Sequence, residues 1–269
     1  MVPSPSPHLD AAAITNPGRV RKQNEDRLKV TPFRTGLKQI PAILAVMADG
    51  IGGHPAGEVA AAMAVDSITH RVTRNPGANR VKTLTAAIQS ASNEILTHGL
   101  KQPGQLGLGT TIACALVIGR QLYTASVGDS RIYLVRGKRI LQLSEDHTWV
   151  REMLDRHLIT PEQAEGHPNA HVIRRFLGST IPPEVDLRMR LSLTESDYVS
   201  LNNQGMELLP GDKLLLCTDG LTDLVADGEI KSIVEGASLS QALDNLVALA
   251  NGRGGIDNIS IILLAVPTS

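Results

Sequence analysis

Four acidic motifs punctuate the chain: Asn24-Glu25-Asp26, Asp49-Gly50-Ile51-Gly52-Gly53-His54, Thr218-Asp219-Gly220 and Gly254-Gly255-Ile256-Asp257-Asn258. Three of them directly abut long apolar runs, so their carboxylates stand at the rim of a core and are aimed by a strand. Carboxylates that converge on one place repel each other unless a cation sits between them. Hard oxygen donors favour magnesium, manganese or calcium over zinc. Each motif alone has a plainer reading: Asp-Gly is a common turn dipeptide, Asn-Glu-Asp can be a solvated turn, and Gly-Gly can be a loop. The ordered set, with strand context at several members, favours a shared metal centre.

Other chemistries find less support. Cys114 and Cys217 lie in apolar strands and lack the Cys-x5-Arg context of a cysteine phosphatase, so both are read as core residues. Gly107-Leu108-Gly109-Thr110-Thr111 is glycine-rich but lacks the Gly-Lys-Ser/Thr ending of a phosphate-binding loop, and is read as a strand entry. His167 and His171 are four apart, a spacing that on a helix could share a metal. Pro168 between them opposes a regular helix and no third ligand is evident, so they are read as non-ligands.

The elements that must position the carboxylates are mostly strands. Pro41 to Ala48 is a short apolar run that ends at Asp49-Gly50. Thr110 to Ile118 and Gln121 to Val127 flank the turn Gly119-Arg120, and Arg131 to Val135 and Arg139 to Leu143 flank Arg136-Gly137-Lys138. Connections this short make antiparallel hairpins. Lys213 to Cys217 and Ile259 to Val266 are further buried strands, and Val185 to Leu193 alternates as a strand with one apolar face. Helices are expected over Gly57 to Arg74, Lys82 to His98 (ended by Gly99), His147 to Arg156, Asp227 to Glu235 and Ser238 to Ala250, the last capped by Ser238. Strands cluster centrally with helix pairs outside them, which indicates an α+β fold, most simply a two-sheet sandwich covered by helices.

The 269 residues are 42% hydrophobic and 20% charged, enough apolar surface for a core along most of the length. A net charge of -1 and only 2% aromatic residues argue against nucleic-acid binding. No run approaches the roughly 20 apolar residues of a membrane span. Residues 1–10 form a Pro/Ser-rich flexible tail without the features of a secretory signal, so the expected location is cytoplasmic. Residues 11–269 are read as one domain.

At this point a resemblance takes over. The chain resembles the metal-dependent protein phosphatases, the type 2C class of serine/threonine phosphatases, in their short bacterial form. The match runs from Gly18-Arg19-Val20-Arg21-Lys22-Gln23-Asn24-Glu25-Asp26-Arg27 through Asp49-Gly50-Ile51-Gly52-Gly53-His54 and Gly57-Glu58. It continues with Gly109-Thr110-Thr111, Val127-Gly128-Asp129-Ser130-Arg131 and Asp146-His147, and closes with Leu216-Cys217-Thr218-Asp219-Gly220-Leu221-Thr222-Asp223 and Asp257-Asn258. The resemblance implies a four-layer α/β/β/α sandwich with a two-metal centre at one end, loaded with Mn2+ or Mg2+. By motif match, Asp49 bridges both metals, the Gly50 carbonyl binds one, and Asp219 and Asp257 complete the protein ligands. Glu25 and Asp26 hold metal-bound waters, Asp129 helps bind a third, weaker metal with Asp219, and Arg21 binds the substrate phosphate. Asp49 and Asp219 are thus catalytic together with Arg21.

The implied chemistry is physically coherent. A phosphomonoester repels anionic nucleophiles, and two cations roughly 3.5–4 Å apart lower the pKa of a shared water enough to give hydroxide near neutral pH. Arginine offers a planar fork of donors to phosphoryl oxygens. The expected activity is hydrolysis of phosphoserine and phosphothreonine in proteins by a monomer, opposing a bacterial Hanks-type kinase.

Departures from the family pattern are few. Animal members have a histidine directly after the metal-binding Asp-Gly, credited with protonating the leaving group; here Ile51 stands there, and His54 is not given that role. Asn16 stands where many relatives have Asp. Residues 144–183 resemble the family's flap beside the active site, and Thr194 to Glu207 is longer than usual, read as an inserted hairpin. Two rivals remain: a catalytically dead binding module on the same fold, and a specialised phosphatase acting on an anti-sigma antagonist. Intact Asp49, Asp219 and Asp257 oppose the first, and the flap opposes the second.

Overall fold

Val46 and Met47 are neighbours on one strand, yet their side chains enter different cores. That follows from the two-residue period of a strand buried on both faces, and it explains why the central runs are uniformly apolar. The computed structural model describes residues 8–36, 39–51, 55–74, 79–102, 107–192 and 194–268.

One sheet contains β2 (Arg27–Thr35), β3 (Ile40–Ala48), β6 (Ile112–Ile118), β7 (Gln121–Val127) and β10 (Met206–Glu207), in the order β10-β7-β6-β3-β2. The other contains β1 (Asp10–Asn16), β8 (Arg131–Arg136), β9 (Arg139–Gln142), β11 (Lys213–Cys217) and β12 (Ile259–Ala265), in the order β1-β12-β11-β8-β9. All these pairs are antiparallel. A two-residue ladder joins β4 (Gly50–Ile51) to β5 (Gly109–Thr110).

Ile43, Ala45, Met47, Ala115 and Val117 from the first sheet meet Ile132, Leu134, Leu216 and Ile262 from the second. The opposite face of the first sheet, through Leu44, Val46 and Leu116, packs on α1 (Pro55–Arg74) and α2 (Arg80–Lys101). Tyr133, Leu215, Ile261 and Leu263 on the far side of the second pack on α7 (Asp227–Gly236) and α8 (Leu239–Gly252). The result is the expected α/β/β/α sandwich. The remaining helices are short: α3 (Trp149–Asp155), α4 (Pro161–Ala164), α5 (Asp197–Asn202) and α6 (Asp219–Thr222). No helix among the described residues is long and apolar enough to cross a membrane.

Both predicted tight hairpins form, with Ile118 opposite Gln121 and Arg136 opposite Arg139. Ser238 caps α8, accepting a bond from the Gln241 amide. Cys114 and Cys217 are free and fully buried, and burial pushes both thiols above their ordinary range.

Other expectations need correction. Residues 1–7 of the expected tail lie outside the described residues, but Leu9 is buried and Asp10 already begins β1. His8 donates from Nε2 to the Gly119 carbonyl. β1 and β2 escaped the sequence reading because one is alanine-rich and the other contains Pro32; β2 tolerates that proline as an edge strand. α2 continues through Gly99, which is buried within the helix and does not end it. The third helix starts at Trp149, leaving His147 in the loop before its Thr148 cap.

Of the expected strand Val185 to Leu193, residues 185–192 are not a ladder strand despite their alternation, and Leu193 lies outside the described residues. Their single bridge joins Asp186 to Ser126, and the intervening arginines Arg188 and Arg190 are drawn to Glu145 and Asp197 instead. The segment Thr194 to Glu207 is no hairpin either: it holds helix α5, capped by Ser196, followed by β10 against β7.

Candidate metal centre

β1 and β12 pair so that Asn16 lies opposite Ile259. This register brings the loop after β1, which carries Arg21, Glu25 and Asp26, against the loop before β12, which carries Asp257 and Asn258. Asn258 fastens the two together. Its Oδ1 accepts from the Glu25 amide at 2.8 Å, and its Nδ2 donates to the carbonyls of Pro17 at 3.0 Å and Gln23 at 2.9 Å. The sequence singled out Asn258 only as part of a motif; its clasp role depends on long-range contacts that no local signal carries. Asn16 Oδ1 accepts from the Gly18 amide at 2.9 Å, an oxygen that asparagine supplies as well as aspartate.

Asp49 follows β3 and is anchored through its backbone. Its amide donates to Thr111 Oγ1 at 3.0 Å, and its carbonyl accepts from the Thr111 amide at 2.9 Å and the Thr110 hydroxyl at 2.8 Å. The Gly109-Thr110-Thr111 run, read as a strand entry, is therefore also the mount for Asp49. Gly50 and Gly57 sit back to back: a Cβ on Gly50 would lie 2.4 Å from the Gly57 carbonyl group. That contact seats the start of α1 against the Asp49 loop.

Asp219 begins α6 after β11, with Thr218 before it. Thr218 donates from Oγ1 to Asp26 Oδ2 at 2.9 Å, so the Asp26 and Asp219 loops share a brace. Gly220 lies so close to Asn258 that a Cβ there would be 2.0 Å from the Asn258 carbonyl oxygen. Asp129 follows Gly128, whose amide donates to His147 Nδ1 at 2.9 Å; His147 Nε2 lies 3.1 Å from Asp186 Oδ2. Burial alone would raise the Asp186 carboxyl, but hydrogen bonds from His147 and Arg188 outweigh it and hold the group below its usual range.

These arrangements bring the predicted residues to one end of the sandwich. Arg21, Glu25, Asp49, Gly50, Asp219 and Asp257 border a cleft of about 560 Å³, together with Ile51, Asn258 and, from the flap, His171 and Ile173. Asp26 and Asp129 do not reach its surface; they are 1% and 6% exposed and lie behind it. Arg21 Nη2 donates to Asp257 Oδ2 at 2.7 Å at the rim. His54, with Gly52 and Gly53, lies outside the described residues.

The carboxylates work against one another. Burial, then the charges of Asp26, Asp219, Asp129 and Asp257, hold the Asp49 carboxyl well above its ordinary value. Burial likewise raises Asp129, with Asp219 the leading charge. Asp26 is pushed up to about 7 by burial, with Asp219 and Asp257 adding to it against bonds from Ser260 and Thr218. Asp219 is pushed up to about 6 by burial, then by Asp223 and Asp257. Asp26 Oδ1, Asp129 Oδ1 and Asp219 Oδ1 are all buried without a hydrogen-bond partner. Orphaned carboxylate oxygens in a mutually repelling cluster are what a divalent cation would satisfy, so the residues present fit a hard metal ion.

His167 and His171 part company in the structure. The His167 ring stacks on Trp149 at 4.7 Å, whereas His171 Nδ1 lies 3.3 Å from Asp223 Oδ2 at the cleft.

Comparison with known proteins agrees with this geometry. The Protein phosphatase 2C family profile matches residues 12–153. The serine/threonine protein phosphatase PstP of Mycobacterium tuberculosis is 32% identical over 259 residues, which cover 96% of this chain and 45% of PstP. The chain thus spans about half the length of that relative. Protein phosphatase PhpP of Streptococcus pneumoniae is 31% identical, with 96% of this chain and 98% of PhpP covered. A crystal structure of the PstP catalytic domain in complex with two manganese ions superposes with a TM-score of 0.75 at 32% identity, covering 96% of this chain and 97% of that one.

Proposed function

The chain belongs to the protein phosphatase 2C family, and we propose that it hydrolyses phosphoserine and phosphothreonine in proteins. The observation that carries this reading is the set of buried carboxylates with unpartnered oxygens lying in and behind a cleft whose rim carries an arginine. Two Mn2+ or Mg2+ ions are the cofactors, in keeping with the manganese of the PstP catalytic domain. Bound there, such ions supply an acidified water and positive charge for phosphoryl oxygens.

The protein's own groups divide the remaining work. Asp49, the Gly50 carbonyl, Asp219 and Asp257 hold the cations, and Glu25 and Asp26 orient the water around them. Asp129 and Asp219 form a third, weaker position. Arg21 receives the phosphate: it is half exposed at the rim, and its planar fork suits a tetrahedral oxyanion. Its bond to Asp257 fixes that fork beside the metal ligands. The open cleft accepts a side chain presented on a protein surface.

The catalytic unit, expected over residues 11–269, begins nearer residue 8 and is one domain, because β1, which starts at Asp10, pairs with β12 and so carries the loop of Arg21 and Glu25 to that of Asp257. The unit acts as a monomer in the cytoplasm, and its counterpart is a serine/threonine kinase of the Hanks type, the chemistry that creates its substrate. Matched peptides bearing phosphothreonine, phosphoserine or phosphotyrosine test the substrate class. Release from the first two at rates well above the third is expected; equal or preferred release from phosphotyrosine would overturn it.

A further inference from the structure

Val20, Ile51 and Ile173 line the cleft among its charged groups, and none of them belongs to the three apolar cores of the sandwich. Val20 is 65% exposed, and Ile256, the residue before Asp257, is 49% exposed. A branched apolar side chain neither ligates a cation nor binds a phosphate, so the metal centre leaves these groups without a task. Single exposed apolar residues are ordinary on a protein surface. Here three from separate elements meet in one cleft, and one of them directly precedes Arg21.

Their backbones are held in place. The Arg19 and Val20 amides both donate to the Gly255 carbonyl, at 2.7 and 3.2 Å, and Arg21 bonds to Asp257. These contacts pin the two loops side by side, so Val20 and Ile256 stand in matching places next to the Arg21–Asp257 pair. Ile51 is paired with Gly109 in the β4–β5 ladder. Ile173 bridges to Thr148, and on either side the Trp149 amide donates to the Val172 carbonyl at 2.8 Å and the Arg174 amide to the His147 carbonyl at 2.7 Å. A surface fixed in this way loses little freedom when a ligand is laid on it.

Arg21 decides what that ligand is. An extended peptide advances about 3.3 Å per residue, so a phosphate on Arg21 brings the neighbours of the phosphorylated residue over the adjoining wall. We propose that Val20, Ile51 and Ile173, with Ile256 beside them, form a specificity subsite for an aliphatic side chain within two residues of the phosphoserine or phosphothreonine. The inference rests on the phosphatase reading above and names the substrate sequence that the cleft prefers. Lys22 lines the same cleft and would draw an acidic neighbour instead, which makes an acidic flank the rival occupant.

The test measures kcat/KM of the full chain with Mn2+ on phosphothreonine peptides that differ only in the two residues on each side: isoleucine, glycine, aspartate or lysine. Phenyl phosphate, which has no neighbours, is the reference. The isoleucine peptide should be used about tenfold better than the glycine peptide, with the difference in KM. Val20→Ser should remove most of that advantage and leave turnover of the glycine peptide and of phenyl phosphate unchanged. Ile256→Ser should act in the same direction, and Val20→Asp should turn the preference towards lysine. An isoleucine peptide no better than the glycine or the aspartate peptide, or an advantage undiminished in Val20→Ser and Ile256→Ser, would overturn the subsite while leaving the phosphatase reading standing. No phosphate release from any of these compounds with Mn2+ would remove both.

Discussion

The Arg21 guanidinium reaches Asp257 across 2.7 Å, so the arginine assigned to the substrate is bonded to a carboxylate assigned to the metals. One pair therefore fixes the distance between the phosphate and the ions that act on it. Arg21→Ala should raise the Michaelis constant for a phosphopeptide about tenfold with a smaller loss in kcat, because removal of a charge-assisted bond costs binding first. Arg21→Lys keeps the charge without the fork and should recover only part of the loss. Steady-state kinetics on the three proteins decide it; an unchanged Michaelis constant contradicts the phosphate role.

Asn258 makes three hydrogen bonds to the loop that carries Arg21 and Glu25, and is itself 5% exposed. Asn258→Ala would remove the partners of three backbone groups that hold this loop in place. A loss of about 3 kcal/mol is expected in urea unfolding. Asn258→Asp keeps an acceptor for Glu25 but loses both donations, and should also weaken the protein. A variant as stable as wild type would show that the clasp is dispensable.

Stability of the metal-free protein should depend on pH in a defined direction. The folded-state pKa values of Asp26 and Asp219, about 7 and about 6, lie above those of an unfolded aspartate. The native state therefore holds more protons than the unfolded one between about pH 4 and 7, and stability falls as pH rises through that window. Divalent cation should reverse the trend, since it binds the ionised carboxylates of the native state. Melting temperatures with EDTA should be lower at pH 8 than at pH 5, and Mn2+ should raise them most at pH 8. A metal-free protein that gains stability from pH 5 to 8 contradicts the arrangement.

The contact of Gly50 with Gly57 leaves no room for a side chain. Gly50→Ala should push α1 away from the Asp49 loop, costing about 1–3 kcal/mol and most of the turnover. Gly57→Ala meets the Glu25 carboxylate at 2.7 Å, whose tip can move, and the Gly50 carbonyl carbon at 2.9 Å, a looser backbone approach than the 2.4 Å at Gly50, and should be milder. Equal, small effects in both would show that the loop is more compliant than its packing indicates.

How far the sequence could be read depended on where the information resides. The runs 41–48, 110–118 and 259–266 announced themselves because strands buried on both faces are apolar at nearly every position. Asp49 and Asp219 were visible because they stand where such runs stop. The alternation of residues 185–192 misled, since Met189 and Val185 do enter cores while the arginines between them follow Glu145 and Asp197 rather than a neighbouring strand. Helix α5 was missed although Ser196 caps it, because the segment is short and exposes Tyr198, Val199 and Leu201. The approach of His171 to Asp219 and Asp223 could not be read at all: the proline after His167 spoke against a ligand pair, and the partners lie about fifty residues downstream.

The central claim is that Asp219 and its neighbours hold the ions on which phosphate release depends. The most direct measurement follows hydrolysis of a phosphothreonine peptide by the purified chain with Mn2+, with Ca2+, with EDTA, and by Asp219→Asn with Mn2+. Turnover should be present with Mn2+, poor with Ca2+, whose looser and larger coordination places the water badly, and abolished by EDTA. Asp219→Asn should remain folded by circular dichroism and lose nearly all activity. Undiminished turnover in EDTA or in folded Asp219→Asn would contradict the account.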